Sequence, residues 1–333
     1  MISAADHASF RERCDTGHSF VLTTHINPDG DALGSELSLA AFLLERGKQV
    51  RIVNNDPTGE VLSFLERDDV RAEVYDPALH DKVLHAADAV ILVDNSAPDR
   101  LGRLEKVMLS LAPQTFCIDH HPSRAAPWGK QILDEDACAT TVMIHELTRE
   151  CGWVPDLQAA MALYVGLATD TGFFRFNSTN ARGHALAAEL LRIGVRPAPI
   201  YQQVYERNSL ELTRLLGRSL ADVATYVGGA VASVRITLDL VDELNAQHVD
   251  TSEITTALLV MDGIRIALLF RELEGGRVKV SLRSKGEINV HTLASEFGGG
   301  GHRNASGIVM PGEIDDVIRT VTQRAIDLVA KAS

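Results

Sequence analysis

Thiols are scarce in this chain. It has four cysteines in 333 residues, Cys14, Cys117, Cys138 and Cys151, and none forms a Cys-x-x-Cys pair. The paired spacing of a structural zinc site is therefore absent. Cys117, within Thr115-Phe116-Cys117-Ile118, reads as a small core residue. Positive charge is also in short supply: 32 Lys and Arg face 45 Asp and Glu, a net charge of −13. That argues against long or duplex nucleic acid as a partner, which needs a broad basic surface to displace counterions. A short nucleotide held by a few local arginines stays compatible with it. No apolar run approaches the ~20 residues that span a bilayer, and polar Met1 to Arg13 does not resemble a signal peptide. We therefore expect a soluble cytoplasmic protein with reduced thiols and no membrane partner. There is no Gly-x-Ser-x-Gly nucleophile motif, no internal repeat and no low-complexity segment.

The length suggests two domains at ~150 residues each, and 45% hydrophobic residues suffice for a core in both. The first half alternates strand-like and helix-like segments. Strands are expected at Phe20 to Thr24, Gln49 to Val53, Ala89 to Val93 and Thr115 to Ile118. A helix is expected from Leu33 to Arg46, closed by Gly47, and others from Ala139 to Cys151, Leu157 to Ala168 and Ala181 to Ile193. Continuous apolar strands separated by helices predict a parallel sheet buried on both faces. A boundary is expected over Gly194 to Pro199, then a helical connector over Ile200 to Ala224. A second α/β unit follows, with strands at Ala230 to Ile236, Ile264 to Phe270 and Val278 to Arg283, and a last helix at about Ile314 to Ala330.

In a parallel sheet, ligands gather at the carboxyl ends of the strands. The first strand opens into His25-Ile26-Asn27-Pro28-Asp29-Gly30-Asp31, a turn shaped by Pro28 and Gly30. The third is followed by Asp94-Asn95-Ser96 and the fourth by Asp119-His120-His121. A lone Asp after a strand is often only a helix N-cap. Three strands ending in acids and imidazoles at one sheet edge imply a cation between groups that otherwise repel. Asp170, in Thr169-Asp170-Thr171-Gly172, adds another acid. Carboxylates with some imidazole and no thiolate suit Mn²⁺ or Mg²⁺, with the histidines favouring Mn²⁺. The number of ligands suits two ions sharing a carboxylate, an arrangement that activates water and neutralises phosphoryl oxygens.

The second half carries Gly298-Gly299-Gly300-Gly301-His302-Arg303-Asn304. Such a run is either a linker or a loop whose amides close on an anion. Its place between a helical pattern at Val290 to Phe297 and the apolar Ile308-Val309-Met310 favours the anion. Arg283, at a strand end in Ser281-Leu282-Arg283-Ser284, suits a bidentate phosphate contact.

Taken in order, His25-x-Asn27-Pro28-Asp29-Gly30-Asp31, Asp94, Asp119-His120-His121 and Thr169-Asp170-Thr171-Gly172 resemble the DHH phosphoesterase superfamily, and the glycine-His element with Ser281-x-Arg283-Ser284 resembles its DHHA1 domain. The resemblance implies a DHH metal-binding catalytic domain over 1–195, a helical connector over 196–228 and a smaller α/β DHHA1 substrate-binding domain over 229–333. It implies one ion held by His25, Asp29 and Asp94, and a second held by Asp31, Asp94, His120 and Asp170, with Asp94 bridging. Asp119 would orient His120, and His121 would face the scissile phosphate. Arg283, Ser284, Gly299, Gly300, Gly301, His302 and Asn304 would grip the nucleotide, with His302 also polarising the phosphate. Arg124 and Asn95 depart from the pattern without removing a ligand.

Length and layout are similar to the NrnA-type oligoribonucleases. That implies hydrolysis of short RNA or dinucleotides and of 3′-phosphoadenosine 5′-phosphate. Alternatives are a phosphodiesterase for linear or cyclic dinucleotides and, in a different class, a non-catalytic nucleotide sensor. Oligomeric state is left open, a homodimer among the arrangements allowed.

Overall fold

A computed structural model describes residues 1–122 and 126–331, with His302 described by its backbone alone. Arg124 lies outside the described residues. The chain divides into two compact units, Met1–Glu206 and Arg207–Ser333.

The first unit contains α1 (Ala4–Thr16), β1 (Ser19–Thr23), α2 (Gly30–Glu45), β2 (Gln49–Asn54), β3 (Ala72–Val74), α3 (Pro77–Ala86), β4 (Ala89–Val93), α4 (Glu105–Ser110), β5 (Thr115–Asp119), β6 (Lys130–Leu133), α5 (Thr140–Glu150), α6 (Leu157–Asp170), α7 (Ala181–Ile193) and α8 (Pro197–Tyr205). Its strands pair in parallel in the order β3-β2-β1-β4-β5-β6. Alternate residues of each strand feed two cores. Phe20, Leu22, Ile91, Val93, Phe116 and Ile118 pack with α1, α2, α5 and α6. Val21, Val90, Leu92 and Cys117 pack with Leu84, Leu104, Met108 and Trp128. Both faces are covered, which explains why β4 is apolar at every position. The chain runs outward from β1 to β3 on one side and from β4 to β6 on the other. The direction of winding thus reverses between β1 and β4, where the carboxyl ends leave a crevice.

Helix α2 is buried from Gly30 to Leu43. It passes α6 so closely that a Cβ on Gly34 would lie 2.4 Å from the Ala162 carbonyl oxygen. Within this packing sits a buried polar chain. Thr24 donates its amide to Asn54 Oδ1 at 3.3 Å, and Asn54 Nδ2 donates to Glu36 Oε2 at 2.8 Å. These bonds tie β1, β2 and α2 together.

The second unit contains α9 (Leu210–Ala221), β7 (Ala224–Tyr226), β8 (Val231–Ile236), α10 (Leu238–Glu243), α11 (Ser252–Val260), β9 (Ile266–Leu273), β10 (Arg277–Ser284), α12 (Val290–Glu296), β11 (Gly300–His302), β12 (Ala305–Pro311) and α13 (Ile314–Lys331). Its sheet, β11-β12-β10-β9-β8-β7, is antiparallel except for β8 and β9. One face packs on α12 and α13, the other on α9, α10 and α11. The helical stretch after Gly194 is two helices. Ser209 caps α9 by accepting from the Leu212 amide at 3.1 Å, so α8 falls in the first unit and α9 in the second. Among the described residues, no helix is long and apolar enough to cross a membrane.

Burial pushes Glu36 up to about 8 from its ordinary 4.5. Between these two values the folded state keeps a proton that the unfolded chain releases, so stability falls as pH rises through that window. The loss is on the order of 5 kcal/mol. Glu36→Gln keeps an acceptor for Asn54 and removes the titration. In urea unfolding, the variant should gain stability relative to the wild type between about pH 5 and about pH 8. A difference that does not change with pH would mean that Glu36 is not held neutral.

Candidate metal centre

The crevice between β1 and β4 collects the acids and imidazoles. His25 follows β1 and is buried, and its Nδ1 lies 2.8 Å from the Ile26 carbonyl oxygen. Its Nε2 faces Asp94 Oδ2 at 3.5 Å and Asp29 Oδ2 at 3.9 Å. Asp29 is the N-cap of α2, its Oδ1 accepting from the amides of Asp31 and Ala32 at 3.0 and 3.1 Å. Asp94 follows β4 and is buried in a left-handed backbone conformation, φ 56°, which Asp tolerates better than most side chains. Asn27 adopts φ 51° in the opposite wall. Its amide donates to Asp56 Oδ2 at 2.8 Å.

His120, just past β5, has Nδ1 3.0 Å from the Ala137 carbonyl oxygen. Its Nε2 faces Asp170 Oδ2 at 3.4 Å, Asp94 Oδ1 at 3.6 Å and Asp31 Oδ2 at 3.9 Å. Asp170 arrives as the last residue of α6. The two oxygens of Asp94 therefore address different imidazoles, Oδ2 towards His25 and Oδ1 towards His120. Among the described residues, three overlapping groups have ligand atoms close enough to share an ion: His25 with Asp29 and Asp94, Asp31 with His120 and Asp170, and Asp94 with His120 and His121.

Asp119 was expected to orient His120; its carboxylate holds His121 instead. Asp119 Oδ1 accepts from the His121 amide at 3.1 Å and lies 2.8 Å from His121 Nδ1. Residues two apart fall on the same side of the chain leaving β5, while His120 turns to the Ala137 carbonyl. Burial acts to raise Asp119, but its bonds with His121 outweigh it and hold the carboxyl below its usual range. The same bond raises His121, whose side chain is 42% exposed.

Two residues that the sequence pattern does not single out complete the cluster. Thr140 and Thr141 begin α5 and donate their amides to Asp31 at 2.5 and 2.9 Å. Thr141 Oγ1 donates to Asp31 at 2.7 Å, and Thr140 Oγ1 to Asp94 Oδ1 at 2.9 Å. A helix N-terminus thus holds a carboxylate as it holds any anion. Thr-Thr at the start of an apolar helical pattern is the signal that could have marked them. Arg100 also bears on the site, its charge lowering the proton affinity of His25 and His121.

These residues fit divalent cations. The Nε2 atoms of His25 and His120 are buried without a hydrogen-bond partner among the described residues. Each faces carboxylate oxygens at distances too long for good hydrogen bonds. Burial lowers His25, so its imidazole is neutral and its nitrogen free to bind a cation. Burial, and next Asp31, raise Asp94 well above the carboxylate range. Burial raises Asp31, and burial followed by Asp31 pushes Asp170 up to about 7. A bound cation removes both costs.

In the second unit, backbone register lines up Arg283, Ala305 and His302 across β10, β12 and β11. The glycine run is partly strand. A Cβ on Gly299 would lie 2.2 Å from the Gly307 carbonyl oxygen, and one on Gly301, at φ 135°, 2.5 Å from that of Ala305. Close approach to β12 accounts for these two glycines. Gly300 meets nothing within 4 Å. Ser284 Oγ donates to the Ile288 carbonyl at 2.7 Å, and Asn304 Nδ2 reaches Ser284 Oγ and the carbonyls of Gly286 and Ile288 at 2.9–3.1 Å. Both side chains hold the loop after β10 against the hairpin. Arg283 Nη1 donates to the Leu282 carbonyl at 3.2 Å.

Known proteins share this architecture. Residues 19–167 match the DHH family, N-terminal domain, and residues 228–329 match the DHHA1 domain. The bifunctional oligoribonuclease and PAP phosphatase NrnA of Bacillus subtilis is 31% identical over 294 residues, 87% of this chain and 88% of that protein. The protein of the same name from Thermus thermophilus is 29% identical over 312 residues, 93% and 90% of the two chains. A crystal structure of an exopolyphosphatase-related protein from Bacteroides fragilis superposes with a TM-score of 0.89 at 26% identity, covering 98% of this chain and 97% of that one. With the acid–imidazole cluster, these likenesses define a metal-dependent phosphoesterase. The chain belongs to the DHH family and carries the DHHA1 domain.

Cation affinity should rise with pH as Asp170 loses its proton near 7 and the cluster gains negative charge. At fixed Mn²⁺, the rise in Tm over metal-stripped protein should be larger at about pH 8 than at about pH 6. An equal rise at both would show that the raised carboxyl groups take no part in binding.

Proposed function

We propose that the protein hydrolyses short oligoribonucleotides to mononucleotides and 3′-phosphoadenosine 5′-phosphate to AMP, using two divalent ions, Mn²⁺ in preference to Mg²⁺. The observation that carries this reading is the division of Asp94 between two imidazoles, 3.5 Å from His25 on one oxygen and 3.6 Å from His120 on the other. His25, Asp29 and Asp94 would hold one ion, and Asp31, Asp94, His120 and Asp170 the other. Bound there, the ions supply the positive charge that neutralises phosphoryl oxygens and makes water a better nucleophile. The mixed carboxylate and imidazole donors favour Mn²⁺.

The chain's own residues do the rest. Thr140 and Thr141 fix the orientation of Asp31 and Asp94. Asp119 holds Nδ1 of His121, which leaves Nε2 to carry a proton towards the departing oxygen. Its bond to Asp119 raises the proton affinity of His121, which favours the protonated form that this task needs. Arg100 adds charge for the phosphate. In the second unit, Arg283 with Gly300, Gly301 and His302 would bind a further phosphate. The names of the Bacillus and Thermus relatives support the substrates. A net charge of −13 supports short RNA over long. The thiols, free in all four cysteines, fit a cytoplasmic setting.

Turnover should require Mn²⁺ or a similar ion and be faster on RNA of about two to five nucleotides than on RNA of about 24. Asp94→Ala should lose more than about a hundredfold in kcat, since even partners of metal ligands are worth roughly 10- to 100-fold. Arg283→Ala should keep its metal and raise KM roughly ten- to a hundredfold. Full activity in excess chelator, or preference for a cyclic dinucleotide over the linear one, would overturn the assignment.

A further inference from the structure

The segment after Asp170 is strained where a plain loop would not be. Gly172, Phe173 and Phe174 are consecutive left-handed residues, φ 55°, 54° and 65°. A bulky side chain there is a true outlier, and such strain concentrates at functional sites. Packing sustains it. The Phe173 ring stands edge-on to Tyr201 at 4.9 Å and to Tyr205 at 5.3 Å, and Phe174 stacks on His184 at 5.1 Å. The Phe174 amide donates to Thr171 Oγ1 at 3.1 Å.

With those rings anchored, the chain folds back on the neighbour of Asp170. The amides of Arg175 and Phe176 both donate to the Thr171 carbonyl, at 3.1 and 3.0 Å. The Phe176 ring lies over Gly172, so close that a Cβ there would be 2.5 Å from ring carbon Cζ. Phe176 is nonetheless 48% exposed. Arg175 is also exposed, its guanidinium sits 5.3 Å from the ring centroid, and it has no acidic partner among the described residues. The result is an aromatic face, lying over Gly172 two residues after Asp170, with an arginine beside it.

We propose that Phe176 and Arg175 form a stacking site for the nucleobase of the nucleotide whose phosphate lies at the acid–imidazole cluster. The proposal rests on the phosphoesterase reading and deepens it. A phosphodiester at the cluster carries a nucleoside on each side, one sugar away. An aromatic ring accepts any base, because every base has a π-face. Arg175 supplies the charge that matches the adjoining phosphate. The acids of the cluster cannot provide this contact, since they repel a nucleotide except through cations.

The test uses the full-length Mn²⁺-loaded protein and Phe176→Ala, Phe176→Leu and Phe176→Trp, with metal content and far-UV circular dichroism as folding controls. Affinity for AMP and for ribose 5-phosphate is measured by calorimetry, and kcat and KM on a diribonucleotide. Alanine and leucine should weaken AMP by about tenfold relative to ribose 5-phosphate and raise the dinucleotide KM by a similar factor, while tryptophan restores both. Should leucine and alanine leave the AMP to ribose 5-phosphate ratio at the wild-type value, the stacking site is refuted, and a parallel loss on both ligands would mean that the ring only supports the turn. The AMP measurement stands even if the wild type fails to cleave the dinucleotide, an outcome that would sink the substrate assignment and not this one.

Discussion

The first unit is organised around a repulsion that the protein alone does not relieve. Asp94 and Asp31 are buried beside each other, with Asp29, Asp170 and Asp119 near enough to raise Asp94 further. In low-dielectric surroundings such a cluster is costly unless it is protonated or neutralised. The fold supplies partial compensation: two amides and a hydroxyl from the start of α5 on Asp31, and the Thr140 hydroxyl on Asp94. The Nε2 atoms of His25 and His120 stay 3.4 Å or more from the carboxylates they face, and both are without a hydrogen-bond partner among the described residues. Charge, donor type and spacing all call for cations.

Much of the fold serves this arrangement. Reversal of winding between β1 and β4 opens the crevice, and close passage of α2 and α6 brings Asp31 towards Asp170. Left-handed backbone at Asn27 and Asp94 turns the chain at both walls. After Asp170 the strain continues through Phe173 and Phe174, held by aromatic packing within the same unit. The turn that carries Phe176 is tied to the end of α6 through the Thr171 carbonyl and packed on α8 through Phe173.

The central strands and strand-end ligands are legible in the sequence because burial on both faces makes Phe20 to Leu22 of β1, all of β4 and Phe116 to Ile118 of β5 continuous apolar runs. Any acid that interrupts such a run stands out. Edge strands give no such signal: β3 is Ala72-Glu73-Val74, half-exposed, and β6 begins with Lys130-Gln131. Helix α1 hides for the same reason, burying little more than Phe10 and Cys14. The partner of Asp119 is not legible, since whether it meets His120 or His121 depends on how the chain leaves β5. Nor is the double origin of the glycine run. Gly299 and Gly301 are required by the approach of β12, a contact between residues that sequence pattern does not pair, while Gly300 meets no such limit. Ser284 and Asn304 look like ligand residues by position, and their side chains also hold the loop after β10.

The central claim is that Asp94 joins two cations in one site. Electron paramagnetic resonance of metal-free protein titrated with Mn²⁺ tests it directly. The account predicts uptake of two ions per chain with the spectrum of an exchange-coupled pair, and loss of that coupling in Asp94→Asn. A single uncoupled ion at saturation, or coupling that survives the substitution, would contradict it.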